Sequence, residues 1–252
     1  MSMNKSDSDH LLVATGISKS FGRVQALAPL SLTISQGERV ALAGPSGSGK
    51  TTLLYLLAGI IQPDAGEVFL AGQDLARQRP GKEKAGLVGL IHQQYDLVPH
   101  LPVLHNVLAG RLGQWSLFRS MISLVWPQDR QVAEEALAQM GIADKIHERT
   151  SHLSGGEQQM LAIARILRTG APLLLLDEPT EGLAPVIVQQ IGRTILALKQ
   201  EGFTIVLVEQ NFRFAASVAD RHYVVEQGKV ADMIPNSELD ANIDKLHAYL
   251  GV

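Results

Sequence analysis

The sequence predicts an α/β fold in which a mainly parallel sheet is flanked by helices on both faces. Apolar runs such as Arg39–Ala43 and Leu173–Leu176 alternate with segments of helical periodicity, and strands buried on both faces are typically apolar throughout. The runs Leu11–Ala14 and Leu30–Ile34 predict an antiparallel β subdomain beside this sheet. Residues 103–150 have apolar positions at helical spacing only, which predicts an inserted helical subdomain.

These patterns divide the 252-residue chain into consecutive parts. Residues 1–10 are polar and are expected to form a disordered lead, and residues 11–235 are expected to form the main domain. The helical subdomain should occupy about residues 95–160 of that domain. Residues 236–252 are expected to form a terminal helix, with helical spacing from Ser237 to Leu250.

Composition excludes several classes of function. With 22 Lys and Arg against 25 Asp and Glu, the net charge is −3, so no basic field favours nucleic-acid binding. The absence of cysteine excludes disulfides, thiolate metal sites and cysteine nucleophiles, and agrees with a reducing compartment. The longest apolar neighbourhood, Gln114–Trp126, is interrupted by Arg119 and is shorter than the roughly 20 residues that span a bilayer. We therefore expect a cytoplasmic protein that relies on another chain to cross any membrane.

Residues 44–51 predict a phosphate-binding loop. Their sequence matches G-x-x-x-x-G-K-[ST] between an apolar strand and an apolar helix, whereas an ordinary Gly/Ser turn would not require the Lys-Thr pair. Backbone N–H groups would surround the phosphates, Lys50 would reach the β- and γ-phosphates, and Thr51 would ligate Mg²⁺. The expected ATP-binding residues of this segment are Gly44, Pro45, Ser46, Gly47, Ser48, Gly49, Lys50, Thr51 and Thr52.

An acidic pair follows the apolar run Leu173–Leu176. Asp177 would lie at the carboxyl edge of the sheet and orient Mg²⁺. Glu178 beside it could polarise the attacking water as a general base. Two acidic residues could also form a solvated turn, but the phosphate-binding loop in the same chain favours the catalytic interpretation.

A second anion-binding motif supports membership of a family. The run 154–157 places a hydroxyl group and two glycine amides at the start of a helix, where an anion can bind. One nucleotide does not need two such loops from one subunit. Together with the two preceding motifs, this run makes the sequence resemble the ATP-binding cassette (ABC) ATPases of membrane transporters. The resemblance extends from about Leu11 to Val230. The resemblance implies that this signature loop contacts ATP held by the partner subunit. Its residues are Ser154, Gly155, Gly156 and Glu157.

The resemblance also implies further contacts and partners. Phe21 would stack on adenine, and the less favoured alternative is that it belongs to the core of an edge strand. Gln93, with Gln94 as its neighbour, would contact Mg²⁺ or the attacking water. The chain would bind ATP and Mg²⁺ and would act as a dimer, with a second copy of itself or with a homologous ATPase, at the cytoplasmic face of the inner membrane. It would bind integral-membrane permease subunits directly and a periplasmic or extracellular substrate-binding protein indirectly.

Two positions differ from the commoner pattern of the family. Many such ATPases have Ser-Gly-Leu-Asp-Pro after the acidic pair, whereas Glu181–Pro185 here contains Ala184 in place of the aspartate. Gln210 occupies the position of a switch histidine. An amide can donate a hydrogen bond to a γ-phosphate oxygen, but it does not titrate near neutral pH as histidine does.

The two halves of the chain resemble different importers. Ile91–Val98 and the Trp115–Trp126 insertion resemble ATPases of phosphonate importers, whereas Glu181–Pro185 and Val208–Asn211 resemble those of branched-chain amino-acid importers. A mosaic with a seam near the signature loop would explain both. The resemblance predicts an ATPase that drives import of one of these substrates. A soluble cassette acting on nucleic acid or the ribosome is the alternative from another class, and a regulator that holds ATP without hydrolysing it is a third interpretation.

Overall fold

The computed structural model describes residues 10–78, 86–92, 96–112, 115, 129–242 and 246. Within these ranges the strands form two sheets, and helices pack around them. The strands are β1 (His10–Phe21), β2 (Val24–Ser35), β3 (Arg39–Ala43), β4 (Ala65–Leu70), β5 (Gln73–Asp74), β6 (Val88–Ile91), β7 (Leu173–Asp177), β8 (Thr204–Glu209), β9 (Arg221–Glu226) and β10 (Lys229–Pro235). The helices are α1 (Lys50–Leu57), α2 (Val103–Ala109), α3 (Arg130–Gln139), α4 (Gly155–Leu167), α5 (Pro185–Gln200) and α6 (Phe212–Val218).

The larger sheet confirms the predicted α/β fold. Its strand order is β10-β9-β3-β8-β7-β6, and every neighbouring pair is parallel except β9 and β10. All residues of β7 and β8 are buried, as expected for strands covered on both faces. Ala43 pairs with Glu209, and Asp177 pairs with Val208. The carboxyl ends of β3, β8 and β7 therefore lie side by side.

The smaller sheet is the predicted antiparallel subdomain, with strand order β2-β1-β4-β5. Strands β1 and β2 are longer than their apolar segments because half-buried and exposed polar residues continue the backbone pairing. His10 belongs to β1, where its Nδ1 lies 3.3 Å from Ser35 Oγ, so its assignment to a disordered lead was wrong. The rest of that lead, residues 1–9, lies outside the described residues.

The helical subdomain is built from α2, α3 and α4. Val107, Leu137 and Leu161, one from each helix, are fully buried in a common core. Within the described part of this subdomain, Pro102 and Arg149 form an isolated antiparallel β-bridge. The Trp115–Trp126 insertion lies outside the described residues apart from Trp115, which is buried.

The C-terminal segment differs from the predicted helix. Two 3₁₀ turns, Asn236–Glu238 and Asp240–Asn242, replace the expected start of that helix. The Asn236 N–H donates to the carbonyl of Asp220, and the first turn places Leu239 in a small apolar cluster with Leu246. Residues 243–245 and 247–252 lie outside the described ranges. Among the helices that the structure describes, none is long and apolar enough to cross a bilayer.

Candidate nucleotide site

Three neighbouring strand ends bring together the motifs predicted from the sequence. Strand β3 leads into the glycine-rich loop, β7 ends at Asp177, and β8 ends at Glu209, immediately before Gln210. Because these strands are adjacent and parallel, the loop, the acidic pair and Gln210 share one edge of the sheet. Ligands of open α/β sheets bind at this edge.

The glycine-rich loop wraps around a buried lysine. Lys50 is 4% exposed, and its Nζ donates to the carbonyl oxygens of Gly44 and Pro45 at 2.8 Å each. Burial lowers the pKa of Lys50, while the nearby Glu178 and Asp177 carboxylates oppose this shift. The ammonium group is thus held inside the loop, the position at which a phosphate-binding lysine is required.

Gly49 allows the loop to approach strand β2. Its φ is +103°, and a Cβ atom there would lie 2.7 Å from the carbonyl oxygen of Ala26. Any other residue would combine backbone strain with a steric clash. Gly49 is therefore required both for the loop conformation and for its packing.

A cavity of about 420 Å³ lies over the loop. The predicted residues that contribute to its lining are Ser46, Gly47, Gly49, Lys50, Thr51, Thr52 and Glu178. Sequence reasoning missed a further group of lining residues from β2 and from the turn between β9 and β10. These are Val24, Gln25, Ala26, Gln227 and Gly228.

The β9–β10 turn is connected to the phosphate-binding loop through the backbone. The Gly228 N–H donates to Ser48 O at 2.9 Å, and the Ala28 N–H donates to Gly228 O at 2.8 Å. A Cβ atom at Gly228 would lie 2.6 Å from Ala26 O. This close packing explains why a turn so distant in sequence forms one wall of the cavity.

The predicted adenine contact lies beside the cavity. Phe21 ends β1, is 52% exposed, and pairs with Val24 across the turn. Val24 lines the cavity, whereas Phe21 does not. Stacking of Phe21 on adenine stays a prediction.

Two of the predicted magnesium ligands, Thr51 and Asp177, lie next to each other. Thr51 Oγ1 donates to Asp177 Oδ1 at 3.4 Å, so a hydroxyl group and a carboxylate converge next to the lysine. Burial and the neighbouring Glu178 raise the pKa of Asp177, and the smaller opposing effects of the Thr51 hydrogen bond, His92 and Lys50 do not cancel this shift. This oxygen donor set fits Mg²⁺. The third predicted ligand, Gln93, lies outside the described residues, as does Gln94.

The backbone of Glu178 is strained. Its φ is +50°, in the left-handed region that non-glycine residues rarely adopt. Its N–H donates to the Val208 carbonyl at 3.0 Å, and its Oε1 accepts a 2.8 Å hydrogen bond from Gln210 Nε2. Strain of this kind persists only where neighbouring contacts maintain it. The first contact comes from β8, and the second comes from the residue that follows this strand.

The signature loop begins α4 with a capping box. The Glu157 N–H donates to Ser154 Oγ at 3.3 Å, while the N–H and hydroxyl of Ser154 both donate to Glu157 Oε2 at 2.8 Å. These hydrogen bonds lower the pKa of Glu157, which is half-buried. None of the four residues 154–157 lines the cavity of its own chain. Their contact with a nucleotide on a second subunit stays a prediction.

Together, the sheet, the phosphate-binding loop and the acidic pair define a nucleoside triphosphatase of the P-loop class. A family profile described as "ABC transporter" matches residues 27–181. The chain belongs to the ABC transporter family, and it is an ATP-binding, ATP-hydrolysing cassette.

Individual relatives agree with this assignment. The phosphonates import ATP-binding protein PhnC 1 of Pseudomonas aeruginosa is 40% identical over 235 residues, which cover 89% of this chain and 85% of that protein. PhnC 1 of Nostoc sp. is 36% identical over 94% of this chain and 91% of that protein. The dimeric bacterial ABC transporter cassette MJ0796 superposes with a TM-score of 0.78, at 27% identity, over 89% of this chain and 98% of that chain.

Proposed function

We propose that this chain is the ATPase subunit of an importer of phosphonates. Two copies would enclose two ATP molecules, each held by the phosphate-binding loop of one copy and the signature loop of the other. Hydrolysis at the cytoplasmic face of the inner membrane would drive transport through a separate permease. A periplasmic or extracellular binding protein would deliver the substrate to that permease. The dimeric cassette MJ0796 supports this arrangement.

The observation that carries the catalytic proposal is the convergence of the Lys50, Glu178 and Gln210 side chains at one sheet edge. Lys50 would neutralise charge on the β- and γ-phosphates. Glu178 would accept the proton of the attacking water, and Gln210 would hold that carboxylate before donating to the γ-phosphate. When bound, Mg²⁺ supplies further neutralisation of the phosphate oxygens, and Thr51 and Asp177 would hold it.

The phosphonate assignment rests on the extent of the similarity. An alignment that covers 89% of this chain with a phosphonate-import protein must include both halves of the sequence. Branched-chain amino acids remain the second candidate, because Glu181–Pro185 and Val208–Asn211 carry the motifs typical of those importers. Both candidates use the same ATPase chemistry. Nucleic acid is disfavoured by the net charge of −3.

Uptake by cells that carry the chain with its own permease tests the substrate. The experiment compares a labelled alkylphosphonate with labelled leucine, in cells with the parental chain and in cells with Lys50→Ala. We expect Lys50→Ala to abolish alkylphosphonate uptake and to leave leucine uptake unchanged. The reverse result would assign the chain to amino-acid import. If neither uptake changes, both importer assignments are wrong, and an affinity pull-down from membranes would then identify any permease bound.

A further inference from the structure

A buried carboxylate joins the two loops that carry the proposed catalytic side chains. Glu209, the last residue of β8, is 3% exposed. Its Oε1 accepts hydrogen bonds from the hydroxyl and the N–H of Thr180, at 2.7 and 3.2 Å, and its Oε2 accepts one from the Asn211 N–H at 3.4 Å. Neither Glu209 nor Thr180 lines the nucleotide cavity. The pair therefore belongs to the support of the site.

Both partners are adjacent to proposed catalytic residues. Thr180 follows Glu178 by two positions, and Glu209 directly precedes Gln210. The contact between Thr180 and Glu209 thus crosses between the same two loops as the 2.8 Å hydrogen bond from Gln210 to Glu178. A change in one contact would alter the separation of the groups in the other.

The chemistry of Glu209 favours a positional role over a stabilising one. Burying a carboxylate is costly, and an apolar residue at such a position is often equally stable or more stable. Three donors converge on Glu209, which matches a side chain that only accepts hydrogen bonds. Its Oε1 binds the hydroxyl and the backbone N–H of Thr180 in the neighbouring loop at the same time.

We propose that Glu209 is a positioning residue that, by binding Thr180, sets the distance between the carboxylate of Glu178 and the amide of Gln210. This inference rests on the catalytic roles proposed above for those two side chains. The strained backbone of Glu178, with φ of +50°, needs neighbouring contacts to maintain it. The hydrogen bonds to Glu209 hold the chain two residues beyond that strained position.

Steady-state phosphate release by the full-length chain tests this role, with kcat and KM for ATP determined separately. Thr180→Val removes the hydroxyl donor, and Glu209→Ala removes the acceptor. Each should lower kcat about tenfold or more, since small misplacement of reacting groups has effects of this size. KM for ATP should stay within about twofold of the parent, because the phosphate-binding loop is unchanged. Thr180→Ser and Glu209→Gln keep the main hydrogen bond and should retain most of kcat.

Thr204→Val is the matched control. Thr204 is also buried, and its hydroxyl oxygen accepts a 2.8 Å hydrogen bond from the Gly37 N–H, but it lies at the opposite end of β8. This variant should lower the melting temperature and leave kcat unchanged. If kcat falls as much in Thr204→Val as in Thr180→Val, or if kcat is unchanged in Thr180→Val, the positional role is wrong.

The double variant Thr180→Val/Glu209→Ala adds a further test. If the two residues act through each other, it should be no slower than the slower single variant, whereas multiplicative losses would contradict the proposal. Should Glu209→Ala fail to fold, Thr180→Val and Thr180→Ser decide the outcome alone.

Parental turnover in Glu178→Gln would instead overturn the proposed catalytic roles. Loss of turnover in Glu178→Gln, with parental kcat in Thr180→Val, would overturn only this inference.

Discussion

Gln210 Nε2 donates a 2.8 Å hydrogen bond to Glu178 Oε1, which joins the loop after β8 to the loop after β7. Glu178 is thereby oriented by an amide at the position where related ATPases commonly have a histidine. An amide can orient a carboxylate and donate to a phosphate oxygen, but it cannot take up a proton near neutral pH. In the proposed mechanism the two residues therefore have separate roles, and Glu178 alone would accept the proton.

Substitution of Gln210 tests this division. Loss of a hydrogen bond to a charged oxygen should cost about 1.5–3 kcal/mol, so Gln210→Ala should be about ten- to a hundredfold slower. Gln210→His should restore turnover and add a pH-dependent step near pH 6.5 that the parent lacks. Phosphate release from about pH 5.5 to 8.5 measures both effects. An alanine variant as fast as the parent would show that Gln210 does not act in catalysis.

Gly156 in the signature loop is required by packing. A Cβ atom there would lie 2.8–2.9 Å from side-chain atoms of Ile187, whereas a Cβ atom at Gly155 would meet only Leu183 Cδ2, at 3.6 Å. We expect Gly156→Ala to destabilise the chain by about 1–3 kcal/mol through overpacking. Gly155→Ala should have little effect or be slightly stabilising, because alanine favours the helix. Urea unfolding measures both, and equal effects would contradict this packing argument.

Asp220 makes stability depend on acidic pH. Burial opposes its ionisation, but hydrogen bonds from Arg39 and Lys199 outweigh this and lower the pKa of Asp220 to about 2. Since this value lies below that of the unfolded chain, the stabilisation is complete above about pH 4–5 and is lost as pH falls towards 2. After allowance for solvent screening of this half-buried carboxylate, it amounts to about 1–2 kcal/mol.

Urea unfolding at neutral and acidic pH checks this dependence. Asp220→Asn should reduce the free energy of unfolding near pH 6, and the difference from the parent should shrink towards pH 3. Asp64→Asn is the control, because Asp64 pairs with Lys19 at an exposed position and such pairs contribute little. A difference between Asp220→Asn and the parent that does not change with pH would show that the carboxylate does not carry the effect.

A dimer closed around ATP should accumulate when hydrolysis is blocked. The signature residues 154–157 do not line the cavity of their own chain, so their proposed nucleotide belongs to a second copy. Light scattering of Glu178→Gln should show the monomer mass without nucleotide and twice that mass with saturating ATP and Mg²⁺. A monomer under saturating ATP would contradict the shared arrangement.

The sequence predicted the central elements of the fold because their patterns are local. Arg39–Ala43 is a strand with the bounds expected, and Leu173–Leu176 differs from β7 only by Asp177. Both are continuous apolar runs bordered by turn residues, which is the strongest signal for a buried parallel strand. The phosphate-binding loop was equally clear, because its chemistry is contained in eight consecutive residues.

The missed features depend on contacts between distant parts of the chain. Gly228 enters the nucleotide cavity because its backbone bonds Ser48 and Ala28, and no local pattern marks that contact. The sequence predicts no role for Glu209, since its partner Thr180 lies 29 positions earlier. The C-terminal 3₁₀ turns form where Asn236 bonds Asp220. In each case, contacts between distant parts of the chain determine the local structure, and helical or strand periodicity carries no signal of those contacts.

Phosphate release by Glu178→Gln at saturating ATP tests the catalytic account most directly. The amide keeps the shape of Glu178 but cannot accept the proton of the attacking water, so release should fall by about a hundredfold or more. ATP affinity should stay near that of the parent, because Lys50 and the phosphate-binding loop are unchanged. Lys50→Ala is the control and should lose ATP binding together with hydrolysis. Parental phosphate release by Glu178→Gln would contradict the account, since it would show that the proton is taken up by another group.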